Sequence, residues 1–202
     1  MENRADRWDE AYVAHGATGV SWYEPMPRLS LEMIGALGVD EDSPVIDIGG
    51  GTSGLAGQLL ERGYSDVTVL DVSAAALEES ERRLAGAVTH LHVDLLSWRP
   101  EREYALWHDR AVLHFFTDRG DRERYVETLS MAVPSGGFVV LGVFAPDGPE
   151  TCSGLTVERY AADDLAALLG DRFVQQLGRR DEHVTPRGMP QAFTWAAFER
   201  RS

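Results

Sequence analysis

Two kinds of apolar run alternate along this chain of 202 residues. The first kind is short and dense: "PVIDI", "VTVLDV" and "GGFVVLGVF" gather their apolar residues within a few positions, as strands covered on both faces do. "THLHVD" and "YALWHD" fit between them as further strands. The second kind spaces its apolar residues three and four apart, the helical period. "PRLSLEMIGAL", "SGLAGQLLERG", "AAALEESERRLAG", "DRERYVETLSMAV" and "AADDLAALLG" all show it. Gly38 and Gly63 stop two of these helices, Pro134 closes another, and Ser73 is placed to cap one at its start. Strands alternating with helices of ten or so residues predict βαβ crossovers and a mostly parallel sheet. The carboxyl end departs from this rhythm. "FVQQLGRRDEHV" and "QAFTWAAFER" are β-like runs joined only by "TPRGMP", too short for a crossover, so they must pair antiparallel or leave the sheet. The expected fold is doubly wound α/β, with seven strands and a C-terminal antiparallel hairpin.

Composition narrows the chemistry. Apolar residues make up 44% and charged residues 26%, an ordinary globular balance, and 202 residues suffice for a buried core. No repeat or linker divides the chain, so it reads as one domain, 1–202, with a helical lid at 1–40 and a core at 44–202. A net charge of −14 counts against nucleic acid as a partner. Lysine is absent, which removes Schiff-base chemistry and a Walker-type phosphate loop. One cysteine, Cys152, excludes an internal disulfide and a cysteine-rich zinc site. "FVVLGVF" is too short to span a bilayer and "MENRADRWDE" is no secretory leader, so a reduced, cytoplasmic setting is expected.

The chemistry concentrates at "VIDIGGGTSG". Gly49, Gly51 and Gly54 satisfy G-x-G-x-x-G, and Asp71 follows about twenty positions later, as in dinucleotide-binding loops. Asp47 changes that reading. A pyrophosphate at this turn would meet its carboxylate, whereas a cation would be drawn to it, by about 1 kcal/mol in water and about 4 at intermediate dielectric. The bland alternative is that Asp47 only hydrogen-bonds the loop.

With Asp47 and the glycines in this order, and an antiparallel ending, the chain resembles class I S-adenosylmethionine (SAM) methyltransferases, which have a Rossmann-like fold. Ser53 replaces the usual third glycine of their first motif. The resemblance implies SAM as cofactor and S-adenosylhomocysteine (SAH) as product. It assigns Asp47, Gly49, Gly51 and Ser53 to the cofactor loop, Asp71 and Val72 to the ribose edge, and Asp94 and Leu95 to adenine. His108, at the end of the fourth strand, joins the cofactor side. "WHDRAVLHFF" with the later G-D-x-x-x-Y is similar to thiopurine S-methyltransferase-like enzymes, which implies that Arg110 faces an anionic group on the acceptor. Arg110 could instead pair with Asp109 or a nearby surface acid. If a helix begins at Arg110, His114 lies one turn along the same face and could take a proton, or it is a core histidine. "WDEAY" and "SWYEPMP" resemble the lead-in of small W-D-x-x-Y methyltransferases. They place Trp22 and Tyr23 over the cofactor, unless the pair only clasps the first helix.

His90, His92 and Asp94 alternate on one strand and could mimic metal ligands, but methyl transfer needs no metal and none is expected. Cys152, in the segment "DGPETCSGL", reads as a passive loop cysteine. The reading favoured by the sequence is a methyltransferase acting on a small molecule, with a thiol or other soft nucleophile as acceptor. A protein lysine is the runner-up. A nicotinamide oxidoreductase and a non-catalytic SAM-binding module remain alternatives, and the oligomeric state is left open.

Overall fold

In the computed structural model of the chain, residues 4–20, 22–24 and 26–202 are described. Ser21 and Pro25 of the "SWYEPMP" lead-in, and residues 1–3 of the expected lid, lie outside them. Seven strands form one sheet in the order β3-β2-β1-β4-β5-β9-β8. These are β1 (Val45–Ile48), β2 (Val67–Asp71), β3 (Thr89–His92), β4 (Leu106–Arg110), β5 (Phe138–Phe144), β8 (Phe173–Val184) and β9 (Pro190–Arg200). The first five are parallel, and β9 runs antiparallel to both β5 and β8. This is the Rossmann-like methyltransferase fold with the C-terminal hairpin that the sequence pattern predicts.

Strand alternation sorts the core into two layers. Val45, Val69, Leu106 and Val140 face one way, against α2 (Arg28–Leu37) and α3 (Leu55–Glu61). Ile46, Ile48, Trp107 and Leu141 face the other, against α5 (Arg119–Ala132) and α6 (Ala162–Leu169). Fully buried Trp107, Tyr125 and Phe198 each contribute roughly 1.5–3 kcal/mol through apolar burial. Ser73 caps α4 (Ala74–Leu84) as expected, its hydroxyl accepting from the Ala76 N–H at 3.1 Å.

The sequence places a helical lid at 1–40 but gives no sign of a hairpin at 151–156. α1 (Arg4–Gly19) is kinked at Gly16, and β6 (Thr151–Cys152) pairs with β7 (Leu155–Thr156) in a small separate hairpin. α1 bridges the carboxyl edge of the sheet. At one side the Ser73 hydroxyl donates to Asp9 at 2.6 Å and the Ala75 N–H at 3.2 Å, so Asp9 sits where the start of α4 attracts negative charge. At the other side Arg7 donates to the Ser153 carbonyl at 2.8 Å, at the tip of the β6–β7 hairpin. Among the described residues no helix is long and apolar enough to cross a membrane.

Candidate functional site

Beneath that bridge, at the carboxyl ends of β1, β2 and β4, lies a cleft of about 490 Å³. Such crevices beyond the strand ends are where doubly wound sheets hold ligands. Its floor includes Ile48, Gly49, Asp71, Val72, Asp94 and Leu95. Trp8 and Tyr12 of α1, Trp22, Phe115 and Cys152 form its walls. A smaller recess of about 40 Å³ continues beside it, bordered by Asp47, Gly50, Ser53, Tyr23 and His108. Trp22, Ile48, Gly49 and Arg110 border both.

The glycine loop leaves room by necessity. Gly49 has φ +63°, and a Cβ there would lie 2.2 Å from Val112 Cγ2. A Cβ on Gly50 would fall 2.5 Å from Asp47 Oδ2. Asp47 itself is buried. Its Oδ1 takes a hydrogen bond from His108 Nδ1 at 2.7 Å, while Oδ2 has no partner among the described residues. A buried carboxylate oxygen without a donor is costly unless a ligand supplies one. A small cationic group in the recess beside it would supply that donor.

Asp71 ends β2 and lines the cleft. Its Oδ1 accepts from the Ser73 N–H at 2.9 Å. Burial pushes its carboxyl up to about 6; the Ser73 and Val72 amides oppose this, and Asp47 and Asp9 add to it. Tyr12 stands near it, its phenol pushed up to about 12 by burial and by Asp71, and it accepts from the Trp22 indole N–H at 3.3 Å. Asp94 accepts from the Leu96 N–H at 2.9 Å, which fixes the turn at the cleft edge. Ser53 is exposed, its hydroxyl accepting from the Leu55 N–H at the start of α3.

Arg110 borders the cleft, and its acidic partner is not Asp109 but the half-buried Glu24, at 2.8 Å; it also donates to the Trp22 carbonyl at 2.8 Å. Its guanidinium lies 5.4 Å from the Phe193 ring centre, and its Nε is buried with no partner among the described residues. Asp109 turns away, into the core. It accepts from the Tyr125 hydroxyl at 2.7 Å and from the Val112 and Leu113 N–H groups at 2.9 and 3.1 Å.

Those two amide bonds correct the expectation for His114. No α-helix opens at Arg110. The chain turns sharply through Ala111, at φ +68°, into a single 3₁₀ turn at Leu113–Phe115. His114 is thereby driven into the core between Phe115 and Phe144, with ring centres 4.4 and 4.6 Å away. Neither ring nitrogen has a partner among the described residues, and burial, reinforced by Arg110, lowers its pKa to about 3. His114 does not line the cleft.

Other expectations are also relocated. His108 borders the recess rather than the main cleft, and so does Tyr23. Cys152 is not in an open loop but buried on β6 in the cleft wall, its thiol pushed up to about 11 by burial. His90 and His92 hydrogen-bond separately, to the Ser80 hydroxyl and the Val72 carbonyl. Among the described residues, no three metal-ligating side chains come together. The roles of Trp8 and Tyr12 could not be read from spacing, since α1 reaches the site only through the folded chain.

Residues 45–137 match the family model of a methyltransferase domain. No curated protein matches the sequence. Among solved structures, a SAM-dependent methyltransferase from Anabaena variabilis superposes with a TM-score of 0.78 at 19% identity, covering 100% of this chain and 96% of its own. A protein described for the conversion of a disulfide bond into a thioacetal group during echinomycin biosynthesis gives 0.76 at 17% identity, covering 98% and 93%. The 1,6-didemethyltoxoflavin-N1-methyltransferase of Burkholderia thailandensis gives 0.72 at 16%, covering 98% and 84%. Just under half of the chain thus matches a methyltransferase domain, and its sheet order and flanking helices are those of the Rossmann-like fold shared by these SAM-dependent methyltransferases.

Proposed function

We propose that the chain methylates a small molecule enclosed between α1, Trp22 and the β6–β7 hairpin, with a thiol or another soft nucleophile as acceptor. The observation that carries the cofactor side is the unpartnered Asp47 Oδ2 beside a loop that only glycines can form. In this reading Asp47 receives the ammonium of the amino-acid arm, and Gly49 and Gly51 let it approach. Asp71 and Val72 meet the ribose, Asp94 and Leu95 the adenine. Trp22 closes over the sulfonium, and Tyr23 and Ser53 edge the recess. When bound, SAM supplies an electrophilic methyl group on sulfur.

The chain's own part is alignment and exclusion of water, which can supply roughly 7–11 kcal/mol of a barrier. The aromatic wall of Trp8, Trp22 and Phe115 serves both, its rings packed edge to face at 5.0 and 5.5 Å. Arg110 is already answered by Glu24, so it suits an uncharged acceptor, to which its Nε–H can donate. No histidine lines the cleft among the described residues, so an acceptor that arrives deprotonated, as a thiolate does, needs no base. The anchoring of α1 at both ends favours a small acceptor over a lysine on a protein chain. The sulfur chemistry named for the echinomycin neighbour and the small acceptor named for the toxoflavin neighbour support the same class.

Transfer of labelled methyl from SAM to a panel of thiols, phenols, amines and lysine peptides tests this. Small thiols should be labelled above the other classes. Labelling confined to peptides would overturn the acceptor class, and labelling of nothing would favour a binding module.

A further inference from the structure

Asp47 and His108 are register partners on the adjacent parallel strands β1 and β4, so their side chains leave the sheet together on the α2 side. His108 Nδ1 lies 2.7 Å from Asp47 Oδ1, and its Nε2 lies 2.9 Å from the Ser30 hydroxyl, in the first turn of α2. All three residues are at most 2% exposed. A carboxylate only accepts, so Nδ1 donates to it; the Nε2 lone pair of the neutral ring then accepts the Ser30 O–H. The result is a chain of directed hydrogen bonds, Ser30 to His108 to Asp47. It has the connectivity of a hydrolytic triad, but the serine is buried and the end left without a protein partner is Oδ2 of the carboxylate.

That orientation has a consequence at the cofactor loop. With Oδ1 pinned, the carboxylate cannot rotate, and Oδ2 is left at the recess between Gly50 and the 22–24 segment. Gly50 contributes by lacking a Cβ, which would fall on Oδ2. We infer that Ser30 and His108 are positioning residues that aim Asp47 Oδ2 at the ammonium of the cofactor's amino-acid arm: both imidazole nitrogens are already engaged, so they act through Asp47. The inference rests on the SAM reading above and moves His108 from a cofactor contact to a residue acting through Asp47.

The test compares SAH with 5′-methylthioadenosine, which keeps the adenosine and the sulfur but lacks the amino-acid arm. His108→Leu should weaken SAH binding by about tenfold or more, as expected for loss of a hydrogen bond to a buried charge, and leave methylthioadenosine within about twofold. His108→Asn, whose amide can still donate to Oδ1, should recover SAH binding to within about threefold of the parent. Ser30→Ala removes one hydroxyl from the far end and should cost SAH about threefold, with methylthioadenosine again unmoved. Ser30→Ala keeps the test alive should His108→Leu fail to fold. Equal losses for both ligands would reduce the pair to a packing role, and undiminished SAH binding in His108→Leu or in Ser30→Ala would overturn the inference. Failure of the parent protein to bind either ligand would instead overturn the SAM reading itself.

Discussion

Asp71→Ala is expected to weaken SAH binding by about tenfold or more, because a carboxylate accepting from two ribose hydroxyls contributes roughly 1.5–3 kcal/mol per bond. The same residue gives the binding a pH signature. In the free protein burial holds the Asp71 carboxyl at about 6, against an ordinary 3.8. Hydroxyl donors favour its charged form, so a bound ribose lowers that pKa, and binding releases a proton wherever the free acid is still protonated. SAH affinity should therefore rise with pH up to about 6 and flatten above it, changing by at most about tenfold per unit below. Asp109 is held at about 6 as well, but it faces Tyr125 and the Val112 and Leu113 amides rather than the cleft. Asp71→Asn should accordingly abolish the slope while leaving the Asp109 environment intact. Titrations at several pH values check both points. An unchanged affinity in the alanine variant would remove Asp71 from the site, and a slope surviving in the asparagine variant would assign the pH dependence elsewhere.

Gly49→Ala is expected to be the most damaging single methyl addition in the loop. Its φ of +63° costs an alanine about 1–2 kcal/mol. The new Cβ would also meet Val112 Cγ2 at 2.2 Å, and Val112 follows a turn pinned by Asp109, so it has little freedom to retreat. Overpacking of this kind adds about 1–3 kcal/mol. Together these lower the melting temperature by roughly 5–15 °C for a chain of this size. Thermal unfolding followed by circular dichroism measures it. A midpoint lowered by less than about 2 °C would show that the loop and Val112 move aside readily.

Much of the site was legible because its chemistry is local in sequence. Asp47 lies two positions from the first glycine, and Asp71 closes the next apolar run, so strand ends and spacing alone place them at one edge of the sheet. The C-terminal hairpin was legible for a similar reason: a six-residue link cannot carry a crossover. Illegible features depend on contacts between distant residues. Ser30 and His108 are 78 residues apart, Arg110 and Glu24 are 86 apart, and Arg7 reaches Ser153 across 146. His114 was misplaced because helical spacing was extended from Arg110 through a point where the Asp109 side chain captures two backbone amides. No periodicity reports a side chain competing for the backbone in that way. The β6–β7 hairpin escaped because strands of two residues have no alternation to detect.

The loop beginning at Asp47 is expected to receive a cationic adenosyl amino acid rather than a dinucleotide. Calorimetric titration of the full chain with SAH and, separately, with NADH tests it most directly. One SAH should bind per chain while NADH gives no saturable heat. Saturable binding of NADH with none of SAH would contradict the account.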